Sequence, residues 1–487
     1  MAKHLNFFTD FEYKGTWWIP NNPDVKLHGS IKFIHSNYIL LELMDLFEKK
    51  ASIQLLKPEI ILGITDDGEK VTLFQSYETE FCGPPFDFEY KTDIRIGKQN
   101  FICRYMFIGK HFDREKDIMF KYLFANFTYL DQWIDNSFKV KETKNSYVIK
   151  TTPIESKLKI DSMNTTLTIL SNPAPIYKMF SAYGGGTDRF NIKYNSCIRI
   201  NPDEPMNFKW FEDFVTNLGN LLTLFIGYPV YPTRLHGEAL GAADDEIVNI
   251  YYVIENPKYV EGFRFIYMDN RYPELIKYTK SERMIAEVIN NWFEKLELLG
   301  PVYDLISIAF YDSSMYPRTY FLTLMQGIET FHRRVIGGGY LDKEDYKPIL
   351  KDLSKSIPND LSAELKRSIK IRLKYAYEFT LQTRLDDLKN RGIGEFNYFK
   401  PIMGDVPDII GKLVNTRNYH NHFDKKDDQV IFSDDELPEI NKKLLLFLRV
   451  LLLDQIDSGI LDTMSICARY ESQLYNSRQF QKYLESE

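Results

Sequence analysis

At 487 residues the chain is too long for one compact core, so two domains of ordinary size, or three, are expected. Hydrophobic residues at 44% and charged residues at 26% are ordinary for a folded protein and exclude an extensively disordered one. A formal net charge of -7 and a pI near 5.8 exclude a protein that coats nucleic acid indiscriminately, because counterion release needs a broad positive surface; a local basic groove remains allowed.

The start MAKHLNFFTD has no basic segment followed by an apolar run, so no secretory signal is expected. From there to about residue 205 the pattern is short and β-like: KLHGSIKFI, NYILLEL, KVTLFQSY, FICRYMFIGKHF, SYVIKTT and TLTILS, each flanked by Gly, Asn, Asp or Pro. Aromatic and β-branched residues at period two favour strands, and a sandwich or barrel-like domain over 1–205 is the simplest account. Trp17 and Trp18 fall in this aromatic pattern and read as core rather than as a platform for bases. His28 and His236 each precede a glycine, which reads as a turn. The glycines at 184–186 lack phosphate-loop spacing and read as a loop.

Residues 206–280 read as a helix-plus-strand extension. Phe211, Phe214, Leu218, Leu221, Leu222 and Phe225 fit one helix, and strands such as IVNIYYVIE follow; this segment either closes the first domain or forms a small second one.

Over 281–487 the chain reads almost wholly as helix, beginning with SERMIAEVINNWFEKLELL. In RTYFLTLMQGIETFHRRV, Phe321, Leu324, Met325, Ile328, Phe331 and Val335 make an apolar stripe, while Gln326, Glu329 and Arg333 share another face; the glycines at 337–339 end the helix. One long helix is expected from Leu361 to Asn390. It carries Lys366, Arg367, Lys370, Arg372 and Lys374 close together, a solvated face that could also meet RNA. In GDVPDIIGKLVNTRNYHNHF, Asp405 reads as an N-cap and Pro407 as a first-turn proline, with Ile410, Leu413, Val414 and Arg417 continuing one core-facing stripe. The apolar run Leu444–Ile456 is interrupted by Arg449 and Asp454 and is too short to cross a bilayer, so a buried helix is expected and no membrane partner. Cys82, Cys103, Cys197 and Cys467 lie far apart without CxxC spacing, which points to neither a zinc site nor a disulfide framework and to a cytoplasmic location.

The chemistry-bearing segment is RNYHNH. A neutral imidazole can take the proton from a ribose 2′-OH, since the pKa of an imidazole in general lies near the working pH, and His422 is the candidate for that role. A guanidinium such as Arg417 can stabilise the charge that develops on the phosphoryl oxygens, through bidentate hydrogen bonds a lysine does not reproduce. Such a pair needs no metal and no cofactor. The bare pattern recurs by chance, and Arg104 with His111 also fits it, but that pair lies in a strand and reads as structural. Five residues along a helix is about 140° of rotation, so Arg417 and His422 do not stack, and the helix is expected to end or bend near Asn421. His420 is three residues from Arg417 and competes for the histidine role. Glu329 is a candidate to orient Arg417 or His422; the plain alternative is an exposed helix carboxylate.

The segments LVNTRNYHNHF, FLTLMQGIETFHRR and LPEINKKLLLFLRVLLLDQI together resemble the HEPN domain of ApeA-like bacterial anti-phage defence proteins, over roughly residues 300 to 470. GTWWIPNNPDVKLHGSIKF is similar to the start of the ApeA N-terminal domain. The resemblance implies an α+β multidomain chain, with a β-rich ApeA-like N-terminal region followed by an all-α HEPN helical bundle. Arg417, Asn418 and His422 match the HEPN motif position by position, and His420 is an additional imidazole inside it. It further implies a metal-independent endoribonuclease acting on RNA such as tRNA, toxic in abortive infection. Its site would be completed by a homodimer or higher homo-oligomer, and a phage-derived trigger protein would act through the N-terminal domain. The alternative from another class is a non-catalytic HEPN scaffold that binds a phage protein or other ligand.

Overall fold

The computed structural model describes residues 6–35, 37–47, 55–79, 98–134, 139–143, 146–150, 153–173, 177–179, 189–191, 194–241, 246–254, 278, 282–312, 315–391, 399–404, 406–423 and 430–457. The chain divides into two compact units, Met1–Phe293 and Glu294–Glu487.

The first unit opens with a closed barrel. Strands β1 (Phe11–Ile19), β2 (Asn22–Ile34), β3 (Tyr38–Leu43), β4 (Ile60–Thr65), β5 (Lys70–Glu78) and β6 (Gln99–Ile108) pair in the order β6-β3-β2-β1-β4-β5, and β5 pairs back onto β6. Alternation along β2 and β3 sends Leu27, Ile31, Phe33, Ile39, Leu41 and Leu43 inward, as the period-two pattern requires. Trp17 is fully buried opposite Gly63; a Cβ at Gly63 would lie 2.2 Å from the indole, so the ring occupies the space a side chain would fill. Trp18 is only half-buried, with the Lys26 ammonium 5.1 Å from its ring, so it is not core.

Beyond the barrel come β7 (Met119–Phe127), the short helix α1 (Leu130–Ile134), and a separate hairpin of β8 (Lys139–Thr143) and β9 (Ser146–Lys150). Strands β10 (Ile154–Ile160) and β11 (Thr165–Pro173) follow, then a second small hairpin of β12 (Tyr177–Met179) and β13 (Arg189–Asn191), then β14 (Tyr194–Pro202) and β15 (Met206–Asn207). After helix α2 (Phe208–Ile226), β16 (Pro232–Ala239) and β17 (Ile247–Tyr252) carry the sheet from β7 to β6. Of the two readings open for 206–280, its described residues therefore close the first unit. Edge-to-face rings at Phe107, Phe120, Phe208 and Phe211 join barrel and α2.

His28 and His236 are not turn residues: His28 sits in β2 opposite Thr16, and His236 in β16 stacks on Phe124. Each following glycine serves close strand packing instead, since a Cβ at Gly29 or Gly237 would meet a neighbouring backbone oxygen at 2.3 or 2.1 Å. The glycines at 184–186 lie outside the described residues, as do Cys82 and Cys467; Cys103 and Cys197 are free thiols.

Helix α3 (Glu282–Glu294) ends the first unit. Trp292 Nε1 donates to Asn217 O (3.0 Å) and Phe293 stacks on Phe214 at 4.4 Å, contacts inside the first unit, which runs to Phe293.

The second unit is helical: α4 (Leu296–Tyr311), α5 (Pro317–Phe331), α6 (Lys343–Lys355), α7 (Ala363–Lys374), α8 (Leu381–Asn390), α9 (Phe399–Met403), α10 (Ile409–His422) and α11 (Leu437–Ile456). Its core is α11, buried along most of its length and packed on α5 and α4. Burial in that core lowers the pKa of Arg449 to about 9. No helix among the described residues is long and apolar enough to cross a membrane.

Two expectations change here. The α5 stripe runs through Phe321, Leu324, Met325, Ile328 and Phe331, but a π-helical turn at His332–Ile336 follows, so His332 is buried and Val335 only half-buried; Gly337 and Gly338, at positive φ, then end the turn. The single helix expected over 361–390 is two. Thr380 caps α8 by accepting from Thr383 N, and in the intervening turn Tyr377 O accepts from Tyr340 N while Phe379 packs on Gly338, contacts that a continuous helix forbids.

Candidate functional site

Helix α10 is capped by Asp408, itself at φ 48°, whose carboxylate accepts from Gly411 N (3.3 Å). Pro407 therefore precedes the helix instead of opening it, and Asp405 lies outside the described residues. The buried face is Ile409, Ile410, Leu413, Thr416 and His420. Thr416 fastens it: its hydroxyl donates to Lys412 O (2.7 Å) and accepts from Phe432 N (2.9 Å), holding the 430–436 loop against the helix. The helix continues unbroken through His422, one residue past the expected end, and stops where Phe423 turns left-handed at φ 52°.

Arg417 sits on the shoulder of the buried face, its side chain 35% exposed, rather than in the core. One guanidinium nitrogen lies 3.9 Å from a Glu329 oxygen, and Nη1 donates to Asn418 Oδ1 (3.2 Å). Glu329 also accepts from Arg333 Nε (3.1 Å), and Arg333 Nη1 donates to Glu378 (2.7 Å). Glu329 is thus shared between two guanidinium groups rather than an idle surface carboxylate. At such exposure the pairs add little stability, about 0–1 kcal/mol each, and their effect is to restrict where the Arg417 guanidinium points. Gln326 is exposed and has no hydrogen-bond partner among the described residues.

His422 is exposed at the last position of the helix and, among the described residues, has no hydrogen-bond partner. No hydrogen bond or ion pair joins it to Arg417 within one chain, as the 140° offset on an unbroken helix requires.

His420 faces the opposite way. It is 7% exposed, neither ring nitrogen has a partner among the described residues, and it lines a cavity of about 470 Å³ with Tyr316, Pro317, Arg318, Thr319, Leu322, Phe423 and Asp434. Burial and then the Arg318 charge lower its pKa, against a smaller opposing pull from Asp434, so the ring is held neutral. Arg318 and Asp434 form a two-bond ion pair, Nε to Oδ1 at 2.8 Å and Nη2 to Oδ2. Arg318 and Asp434 were not legible as site residues: they stand 116 positions apart and meet only because the 430–436 loop returns to the start of α5.

The basic residues Lys366, Arg367, Lys370 and Lys374 border a shallow concavity with Ala363 and Ile371 on α7, a helix with no buried residue. Among the described residues they share no hydrogen bond or ion pair with Arg417. Arg104 and His111 are separate: Arg104 is exposed beside Tyr105, while His111 bonds Gly63 O (2.8 Å).

Sequence reasoning also missed a buried cluster under the π turn. Arg384 Nη1 meets His332 Nδ1 at 2.9 Å, and His332 Nε2 meets Asp387 Oδ2 at 2.8 Å. Because a guanidinium only donates, Nδ1 accepts and the imidazole proton sits on Nε2. Burial lowers the His332 pKa accordingly.

Residues 12–292 match the family model described as ApeA N-terminal domain 1, and residues 322–458 match the one described as Apea-like HEPN. No curated protein and no solved structure matches the chain.

Proposed function

Because the chain belongs to the ApeA family, as an ApeA-like protein with a C-terminal HEPN domain, we propose that it is a metal-independent endoribonuclease of bacterial anti-phage defence. The observation that carries the reading lies inside the HEPN match. Arg417 is held at the surface between Glu329 and Asn418, and His422, exposed and without a partner among the described residues, stands about 1.4 turns further along the same helix.

In the reaction, the His422 imidazole removes the proton from a ribose 2′-OH, and the 2′-oxygen attacks the adjacent phosphorus. The bond from phosphorus to the 5′-oxygen breaks as that oxygen is protonated, leaving a 2′,3′-cyclic phosphate and a 5′-hydroxyl. Arg417 neutralises the charge gathering on the phosphoryl oxygens, with Asn418 and Glu329 holding its guanidinium. As the two groups do not meet within one chain, pairing of two HEPN domains completes the site. The substrate class is RNA, with tRNA the toxic target in abortive infection, in the cytoplasm. The basic face of α7 contributes phosphate contacts, and the N-terminal unit restrains the nuclease until a phage component releases it.

Incubating the full chain with total tRNA in EDTA tests this. Cleavage with cyclic-phosphate ends, lost by about 10² or more in Arg417→Ala and in His422→Ala proteins that still fold, is expected. Inert RNA across dimeric preparations supports the non-catalytic scaffold instead.

A further inference from the structure

The cavity that His420 lines is chemically unlike the Arg417 surface. Neither nitrogen of the buried His420 ring has a hydrogen-bond partner among the described residues, and with the ring as placed both are closed to water, so solvent does not relieve the cost of burying them. The walls carry no free charge: Arg318 and Asp434 neutralise each other, and the imidazole itself is neutral. A phosphate therefore finds no uncompensated cation here. At the mouth stand two aromatic side chains that the fold leaves in solvent, Tyr316 at 80% and Phe423 at 65% exposure, with Leu322 on the wall. A volume of about 470 Å³ is within the range of small-molecule sites.

A flat, neutral ring with donors and acceptors on its edge suits these walls. We propose that this cavity is a nucleobase subsite, in which an unpaired base of the RNA stacks against Phe423 or Tyr316 and presents its edge to the Arg318–Asp434 pair and to a His420 nitrogen that a turn of its ring brings into the cavity. Single-stranded bases are recognised in this manner, by stacking on aromatic rings and guanidinium planes and by hydrogen bonds to the base edge. The position fits: His420 and Phe423 flank His422 on α10, so Arg417 and the cavity mouth are separated by about 9 Å along the helix axis. In this arrangement His420 is a specificity-determining residue, while proton transfer falls to His422. The proposal rests on the ribonuclease reading for its ligand, but binding tests it apart from cleavage.

The experiment uses the full chain carrying Arg417→Ala, so that RNA stays intact, and a short single-stranded oligoribonucleotide with a fluorescent label. A second set of strands carries one abasic ribose, walked through the sequence. At one position the missing base should weaken binding about tenfold or more. That penalty should vanish when His420→Phe removes the ring nitrogens, and again when Leu322→Trp fills the cavity without touching His420; thermal melting identifies any variant that fails to fold. An abasic penalty of equal size in cavity-intact and cavity-filled proteins overturns the subsite, as does the absence of any position-dependent penalty or of any RNA binding. Lost cellular toxicity on filling the cavity, with RNA binding unchanged, marks a protein-docking site and also overturns it. Wild-type cleavage of the unmodified strand is scored separately: uncut RNA with the penalty intact removes the nuclease reading and leaves the subsite standing.

Discussion

Three histidines of the helical unit show how burial assigns chemistry to one side chain. Among the described residues, His422 is exposed and has no partner, His420 is buried without partners, and His332 is buried with both nitrogens engaged. Burial is the first cause that lowers the pKa of His332 and of His420. An unfolded chain protonates these rings near the ordinary value of about 6.5, and the folded chain only at lower pH. Between those values the unfolded state binds more protons, so stability is complete above about pH 6.5, falls as pH drops toward the folded values and levels off below them. Asp387, which accepts from Arg391 and His332, is held below the usual carboxylate range despite partial burial and stays charged through this window. The melting temperature should therefore fall between about pH 7 and pH 5.5, by roughly 2–4 °C for each kcal/mol lost. His332→Gln, which keeps one donor and one acceptor without titrating, should flatten the curve. A melting temperature that does not move with pH in the unaltered protein, or an equally steep fall in the variant, rules this out.

At the level of elements, side chains at helix ends decided what each helix offers. Asp408 caps the start of α10, and the left-handed Phe423 sets where it stops, which puts His422 in the last position. Thr380 and Phe379 cut the expected 361–390 helix in two, leaving α7 a solvated element with Lys366, Arg367, Lys370 and Lys374 along it. Each cation that contacts a phosphate of a single strand adds about 0.7 to the slope of log affinity against log salt. Replacing these four by Gln should weaken RNA binding evenly across sequences and lower that slope by up to about 3. An unchanged slope returns α7 to the plain reading of a solvated face.

At the scale of the molecule, two units are each complete in their cores, the first closed by its barrel and α2, the second built around α11. The catalytic reading places its site beyond one chain, since Arg417 and His422 diverge on one unbroken helix. An isologous pairing brings two copies of the motif together about a twofold axis. Mixing Arg417→Ala protein with His422→Ala protein should thus restore part of the RNA cleavage that neither variant shows alone. Verified mixed dimers that remain inactive would remove the composite site.

Period-two alternation over KLHGSIKFI and NYILLEL and helical spacing over Phe321–Phe331 and Leu444–Ile456 were enough to read the two-part architecture. Local patterns of this kind report directly which faces leave water. RNYHNH likewise displayed its Arg and His because they are close in sequence. Closure of β5 onto β6, the Arg318–Asp434 pair, the His332–Asp387–Arg384 cluster and the burial of His420 rather than His422 depended on residues distant in the chain. No local period encodes which distant segment covers a given side chain, and that covering decides which imidazole meets water and which meets a cavity.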